Sequence, residues 1–157
     1  MTRKSKKNKR QNKLWHLKNK KLMGEKNILV GVYDSFRQTQ KHNLNMSSDN
    51  SQYLGTYDTE PIYNMLVFGD NNTSCGITKG GTTSIKIECY LVNEKLLNIL
   101  DTMNGYSEGM SNESLYLREK VRSPYGDAFI YIYNYPDSPG KIEKNGDWID
   151  IVNTKKV

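Results

Sequence analysis

Residues able to act as nucleophile, base or metal ligand are sparse in this chain of 157 amino acids, and their spacing argues against several common chemistries. His16 and His42 each lack a Cys or Ser partner at a recognisable spacing, so no nucleophile–His arrangement is expected. Cys75 and Cys89 have neither CxxC spacing nor a His beside them, so no metal site is expected. Gly80-Gly81-Thr82-Thr83 lacks the Lys of a phosphate-binding loop and reads as a hairpin turn. Glu88 falls on the polar side of an alternating segment; turned inward, it would be the carboxylate of most interest. The remaining concentration of chemistry is positive charge. Lys4, Lys6, Lys7, Lys9 and Arg10 open a run of eleven basic residues within 1–26, opposed only by Glu25.

That run divides the chain. Residues 1–26 sum to +10 and the whole chain to +6, so residues 27–157 carry −4. The expected organisation is a basic, flexible arm (1–26) ahead of one domain (27–157). The first thirteen residues have no apolar side chain after Met1 and cannot offset their ordering entropy alone. Leu14 with Leu17, and Trp15 with Leu22, have helical spacing, so a short helix on contact is expected. Such an arm suits an anionic partner or nucleic acid. It equally suits a solubilising tail whose Trp15 docks on its own domain, since the Lys run has no aromatic interleaving.

Composition excludes other classes. No apolar run reaches 18 residues, so no membrane-spanning helix is expected. The basic start has no apolar stretch after it and does not read as a secretory signal. Two cysteines in such a chain read as reduced thiols, and a cytoplasmic location is expected.

The elements that must carry any site read mostly as strands. Asn27–Tyr33 is a nearly continuous apolar run, the pattern of a strand buried on both faces. Further strands are expected over Gln52–Asp58, Ile62–Phe68, Ser84–Val92, Leu115–Arg122 and Asp127–Tyr135. In Ser84–Val92, Ile85, Ile87, Cys89 and Leu91 alternate with Lys86, Glu88 and Tyr90. One helix is expected over Asn93–Asn104. Asn93 is its N-cap, Val92 and Leu97 form a staple, Leu96, Leu100 and Met103 make the apolar stripe, and Gly105 takes the left-handed position after it. Strands around one helix indicate an α+β domain with a curled or barrel-like sheet.

Within this frame the residues resemble the gamma-glutamylcyclotransferase-like superfamily. Tyr33-Asp34-Ser35-Phe36-Arg37, directly after the first strand, resembles its Tyr-Gly-Ser/Thr-Leu-Arg loop. Tyr53-Leu54-Gly55, Ile87-Glu88-Cys89-Tyr90, Leu100-Asp101-Thr102-Met103-Asn104-Gly105-Tyr106, Tyr116-Leu117-Arg118, Ala128–Tyr133 and Gly146-Asp147-Trp148 follow in the order of that family's segments. The resemblance implies a small mixed β-barrel with flanking helices. It also implies acyl transfer without a cofactor: an α-amine attacks the γ-carbonyl of the same molecule, 5-oxoproline forms and an amine leaves. The tethered nucleophile needs orientation, a base for its ammonium and donors for the oxyanion. By resemblance, the loop Tyr33, Asp34, Ser35, Phe36 and Arg37 holds the substrate through its backbone N–H groups. Tyr116 is a further candidate for the pocket lining, set against the structural role more usual in a Tyr-rich strand.

Two positions depart from the family. Asn104 stands where the family has its catalytic Glu, and a neutral amide accepts no proton; losing a general base costs roughly 10²- to 10⁴-fold in rate. Asp34 stands where the loop has Gly. Its side chain tolerates left-handed angles, but its charge would repel a substrate carboxylate. Either the chemistry has moved, to Asp34 or to Glu108 or Glu113 in the 105–114 loop, with an amine-bearing ligand that lacks a free α-carboxylate, or the site binds a small ligand or partner without cyclising it. Two departures in one site favour the second.

Overall fold

The computed structural model describes residues 9–13, 24–46, 49–137 and 140–154. Of the arm, residues 9–13 are helical with Lys9 and Arg10 exposed; Lys4, Lys6, Lys7 and the apolar group from Leu14 to Met23 lie outside the described residues.

The domain is α+β, with eight strands and two helices among the described residues of 27–157. In chain order these are β1 (Ile28–Val32), β2 (Ser51–Asp58), β3 (Tyr63–Phe68), β4 (Ser74–Lys79), β5 (Lys86–Val92), α1 (Glu94–Met103), β6 (Tyr116–Ser123), β7 (Gly126–Tyr133), β8 (Lys141–Glu143) and α2 (Trp148–Thr154). Short 3₁₀ turns occupy Asn43–Met46 and Ser111–Glu113. Five strands form one sheet in the order β2-β5-β1-β7-β6, and three form another in the order β4-β3-β8. β1 is central, antiparallel to β5 and parallel to β7. The expected barrel therefore does not close. The two sheets meet through side chains rather than through a continuous backbone ladder.

The central strands β1 and β5 of the larger sheet are buried on both faces, as the apolar run in β1 predicts. One face packs on the smaller sheet and α2 through Ile87, Cys89, Ile130, Met65, Ile77, Trp148 and Ile151. The other packs on α1 through Val30, Val32, Tyr90, Leu96, Leu97 and Leu100. This double covering explains why both alternating sets of β5 are buried, the polar-looking Glu88 included.

α1 matches its sequence signals. The Asn93 carboxamide accepts the Leu96 N–H at 3.0 Å, and Gly105 (φ 60°) turns the chain out of the helix. Three elements carry no clear signal. β4 is interrupted by Gly76, where the sheets approach so closely that a Cβ would lie 2.8 Å from Cβ of Tyr133. β8 has three residues. α2 is a seven-residue helix started by Asp147, whose carboxylate accepts the Ile149 N–H at 3.1 Å.

Candidate functional site

The loop after β1 and the C-terminal end of α1 share one cavity of about 230 Å³. Asp34, Ser35, Phe36 and His42 line it from the loop, Asn104 from the helix end, and Cys75 and Tyr116 from β4 and β6. Met103 and Leu115 form part of its rim, both exposed.

Position 104 is fixed by a cluster behind the helix. Arg118 on β6 pairs with Asp101 at 2.5 Å, and the Tyr131 hydroxyl on β7 donates to the same carboxylate at 2.6 Å. The Arg118 guanidinium lies between the rings of Tyr106 and Phe129, 5.0 and 4.5 Å from their centroids. Asn104 itself is buried. Its Nδ2 donates to the Leu100 carbonyl at 2.8 Å, so one of the two amide N–H groups is used inside the helix.

The loop has two unlike ends. Asp34 folds back so that its Oδ1 accepts the Phe36 N–H at 3.3 Å, and Arg37 N–H closes the turn onto the Asp34 carbonyl at 3.0 Å. Asp34 does not have positive φ; Thr39 (φ 70°) supplies the left-handed residue of this loop. Burial pushes the Asp34 carboxyl up to about 6, against the smaller opposing effect of the Phe36 N–H. Arg37 turns inward. Its Nη1 lies 2.6 Å from Asp147 and its Nε 3.7 Å from Glu88. Glu88 accepts the Gln38 N–H at 2.9 Å, and burial raises its carboxyl above the ordinary range despite Gln38 and Arg37. Glu88 therefore anchors the loop from behind.

The proposed residues thus fall into groups. Asp34, Ser35, Phe36, Asn104 and Tyr116 face the cavity; the Tyr116 hydroxyl donates to the Cys75 carbonyl at 2.7 Å, and burial raises its pKa. Tyr33 and Arg37 do not line it. The buried Tyr33 hydroxyl donates to the Tyr131 carbonyl at 2.6 Å and accepts the Ile77 N–H at 3.3 Å, bridging the two sheets. Arg37 is neutralised by Glu88 and Asp147. Glu108 and Glu113 are exposed and outside the lining.

The spacing of His42 announces no partner, but the loop brings one to it: Ser35 Oγ lies 2.7 Å from His42 Nδ1, both at the cavity wall. The spacing of seven residues carries no signal, because the loop between them has no regular period. Cys75 and Cys89 are buried free thiols, each raised by burial. Among the described residues no cluster of three His, Cys, Asp or Glu could hold a metal, and no helix is long and apolar enough to cross a membrane. A larger groove of about 410 Å³, lined by Tyr57, Glu60, Tyr63 and Arg122 among others, contains none of the residues that the motifs single out.

Comparison with known proteins bears on this arrangement. Residues 30–150 match the family described as gamma-glutamyl cyclotransferase, AIG2-like. A putative gamma-glutamylcyclotransferase of Vibrio cholerae is 32% identical over 120 residues, spanning 76% of this chain and 94% of that protein. The gamma-glutamylcyclotransferase family protein YtfP of Escherichia coli K12 is 27% identical over 121 residues, spanning 77% and 96%. Among solved structures, an uncharacterized protein from Pyrococcus horikoshii superposes with a TM-score of 0.63 at 20% identity, covering 81% of this chain and 94% of that one. The solution structure of E. coli YtfP gives 0.59 at 24% identity, covering 79% and 98%.

Proposed function

The chain belongs to the gamma-glutamyl cyclotransferase, AIG2-like family, and from that premise we propose that its cavity takes an acyl compound carrying its own amine and closes it to a lactam, with Asp34 as proton acceptor in place of position 104. The observation that carries this reading is that Asp34 and Asn104 face one cavity, with the carboxylate on the loop wall. A substrate ammonium docks against ionised Asp34. The carboxylate removes a proton, the freed amine attacks the carbonyl a few bonds away, and the proton returns to the departing nitrogen. A carboxyl titrating at about 6 is matched to such a task near neutral pH. The tether supplies the proximity that a bimolecular reaction lacks. The charge of Asp34 selects against a free carboxylate at the loop, so the substrate class is an amine-bearing acyl amide whose α-carboxylate is absent or blocked.

The test is incubation of the protein with gamma-glutamyl amides and with their decarboxylated 4-aminobutyryl counterparts, followed by detection of the lactam and the released amine. Preferred turnover of the decarboxylated series, lost in Asp34→Asn, supports the reading; turnover unchanged in Asp34→Asn overturns it.

A second reading, binding without cyclisation, is supported by the side chain of Asn104, which is neutral and bonded to Leu100. It expects no lactam from the wild type and turnover of gamma-glutamyl amides in Asn104→Glu.

A further inference from the structure

The cavity holds a pair of groups that neither family chemistry nor the Asp34 reading uses. Ser35 Oγ and His42 Nδ1 are 2.7 Å apart, within the range of a hydroxyl poised to pass its proton to an imidazole. The pair is held from several sides. The His42 backbone N–H donates to the Ser35 carbonyl at 2.8 Å. The Phe36 ring packs on the imidazole with centroids 5.4 Å apart, and Asn43 Nδ2 donates to the Phe36 carbonyl at 2.9 Å. Both side chains reach the cavity wall that also carries Asp34. The N–H of the residue after the serine, Phe36, donates to Asp34 Oδ1 at 3.3 Å. This long bond yields readily to a stronger acceptor, and the amide after a nucleophile is where an oxyanion is commonly received.

We infer that Ser35 is a nucleophile activated by His42, so that acyl compounds in this cavity react in two steps through an ester on Ser35 Oγ. In the first step Oγ bonds to the acyl carbon while its proton moves to His42 Nδ1. The bond from that carbon to the leaving group breaks, and the departing atom takes the proton from His42. In the second step the ester carbon is attacked by the tethered amine, or by water where no amine is present. His42 takes the attacking group's proton and returns it to Ser35 Oγ, releasing lactam or carboxylic acid. For the lactam product this inference rests on the acyl-transfer reading above: Asp34 still takes the ammonium proton, but the freed amine attacks the Ser35 ester instead of the substrate carbonyl, the leaving group having departed with the proton from His42. For the ester it stands alone.

The probe p-nitrophenyl acetate separates the two, because it carries no amine. Full-length protein is expected to release a burst of p-nitrophenolate equal to the enzyme present and to gain one acetyl group on the peptide containing Ser35. Alkaline hydroxylamine is expected to remove that group, as it does an O-ester, whereas acetyl amides on the lysines of the arm persist. Ser35→Ala is expected to abolish the labile adduct, and His42→Gln to slow its formation roughly 10²- to 10⁴-fold. Both variants keep the backbone bonds of the loop, and unchanged thermal melting confirms that they fold. No labile adduct in folded wild type overturns the inference, as does an adduct that survives Ser35→Ala or forms at the same rate in His42→Gln. Lactam production without any adduct overturns the dyad and leaves the Asp34 reading standing. An adduct without lactam from any amine-bearing substrate supports the dyad and overturns that reading instead.

Discussion

Two groups of charged residues descend from the same short loop and behave oppositely. Arg37, with Glu88 and Asp147, forms a buried knot in which each charge has an opposite charge or an N–H against it. Asp34, three residues earlier, has no cation beside it among the contacts of the described residues, and burial pushes its carboxyl up to about 6. The knot holds the fold and the cavity carboxylate burdens it. Burial raises the carboxyls of both Glu88 and Asp34, but Glu88 has Arg37 and the Gln38 N–H against it, whereas Asp34 faces the cavity without a cation, and a charge so placed is the one available for chemistry.

Breaking the knot is expected to have the largest effect. Arg37→Met leaves Glu88 buried and Asp147 half-buried without their partner and should cost about 3 kcal/mol of stability, measured by urea or thermal unfolding. The same loss in Asp34→Asn would erase the distinction between the two groups. Instead Asp34→Asn should stabilise the fold at neutral pH, by up to about 3 kcal/mol, since its carboxyl moves from 3.8 to about 6. The sign follows from proton binding. The folded chain holds this proton more tightly than the unfolded chain, so wild-type stability falls as pH rises from about 4 through about 6. The gain from Asp34→Asn should therefore vanish below about pH 4. If Asp34 is the base, wild-type kcat/KM should fall as pH drops through about 6. Tyr116→Phe sharpens the comparison at intermediate scale. It removes the bond to the Cys75 carbonyl and should cost about 1 kcal/mol of stability, read by thermal unfolding. The smallest effect on stability is expected from replacing Lys4, Lys6, Lys7, Lys9 and Arg10 with Gln. Melting should be unchanged, while any polyanion affinity and its salt dependence should fall; an unchanged salt slope sinks the arm as a polyanion contact.

Much of this was legible in the amino-acid order, though unevenly. Period and caps find α1 and most strands, because those signals are local. β4 is hidden by Gly76, whose requirement is a neighbouring sheet, and α2 by its dependence on Asp147. Motif order points correctly to the loop and the helix end that meet at the cavity. It does not separate Asp34 and Ser35 from Tyr33 and Arg37, since which way an irregular loop turns each side chain depends on partners 44 to 110 residues away. The Ser35–His42 contact, only seven residues apart, had no signal because the loop between them has no regular period.

The placement of β1 in the middle of its sheet has a consequence for how the molecule is made. Its neighbours are β5 and β7, and the loop it launches is latched by Asp147, near the far end of the chain. A ribosome delivers the first wall of the cavity 110 residues before its latch, so the nascent chain carries an unfinished pocket over that interval. Termination ahead of residue 147 would leave that loop without its clasp, so ligand binding should report on whether translation passed that point.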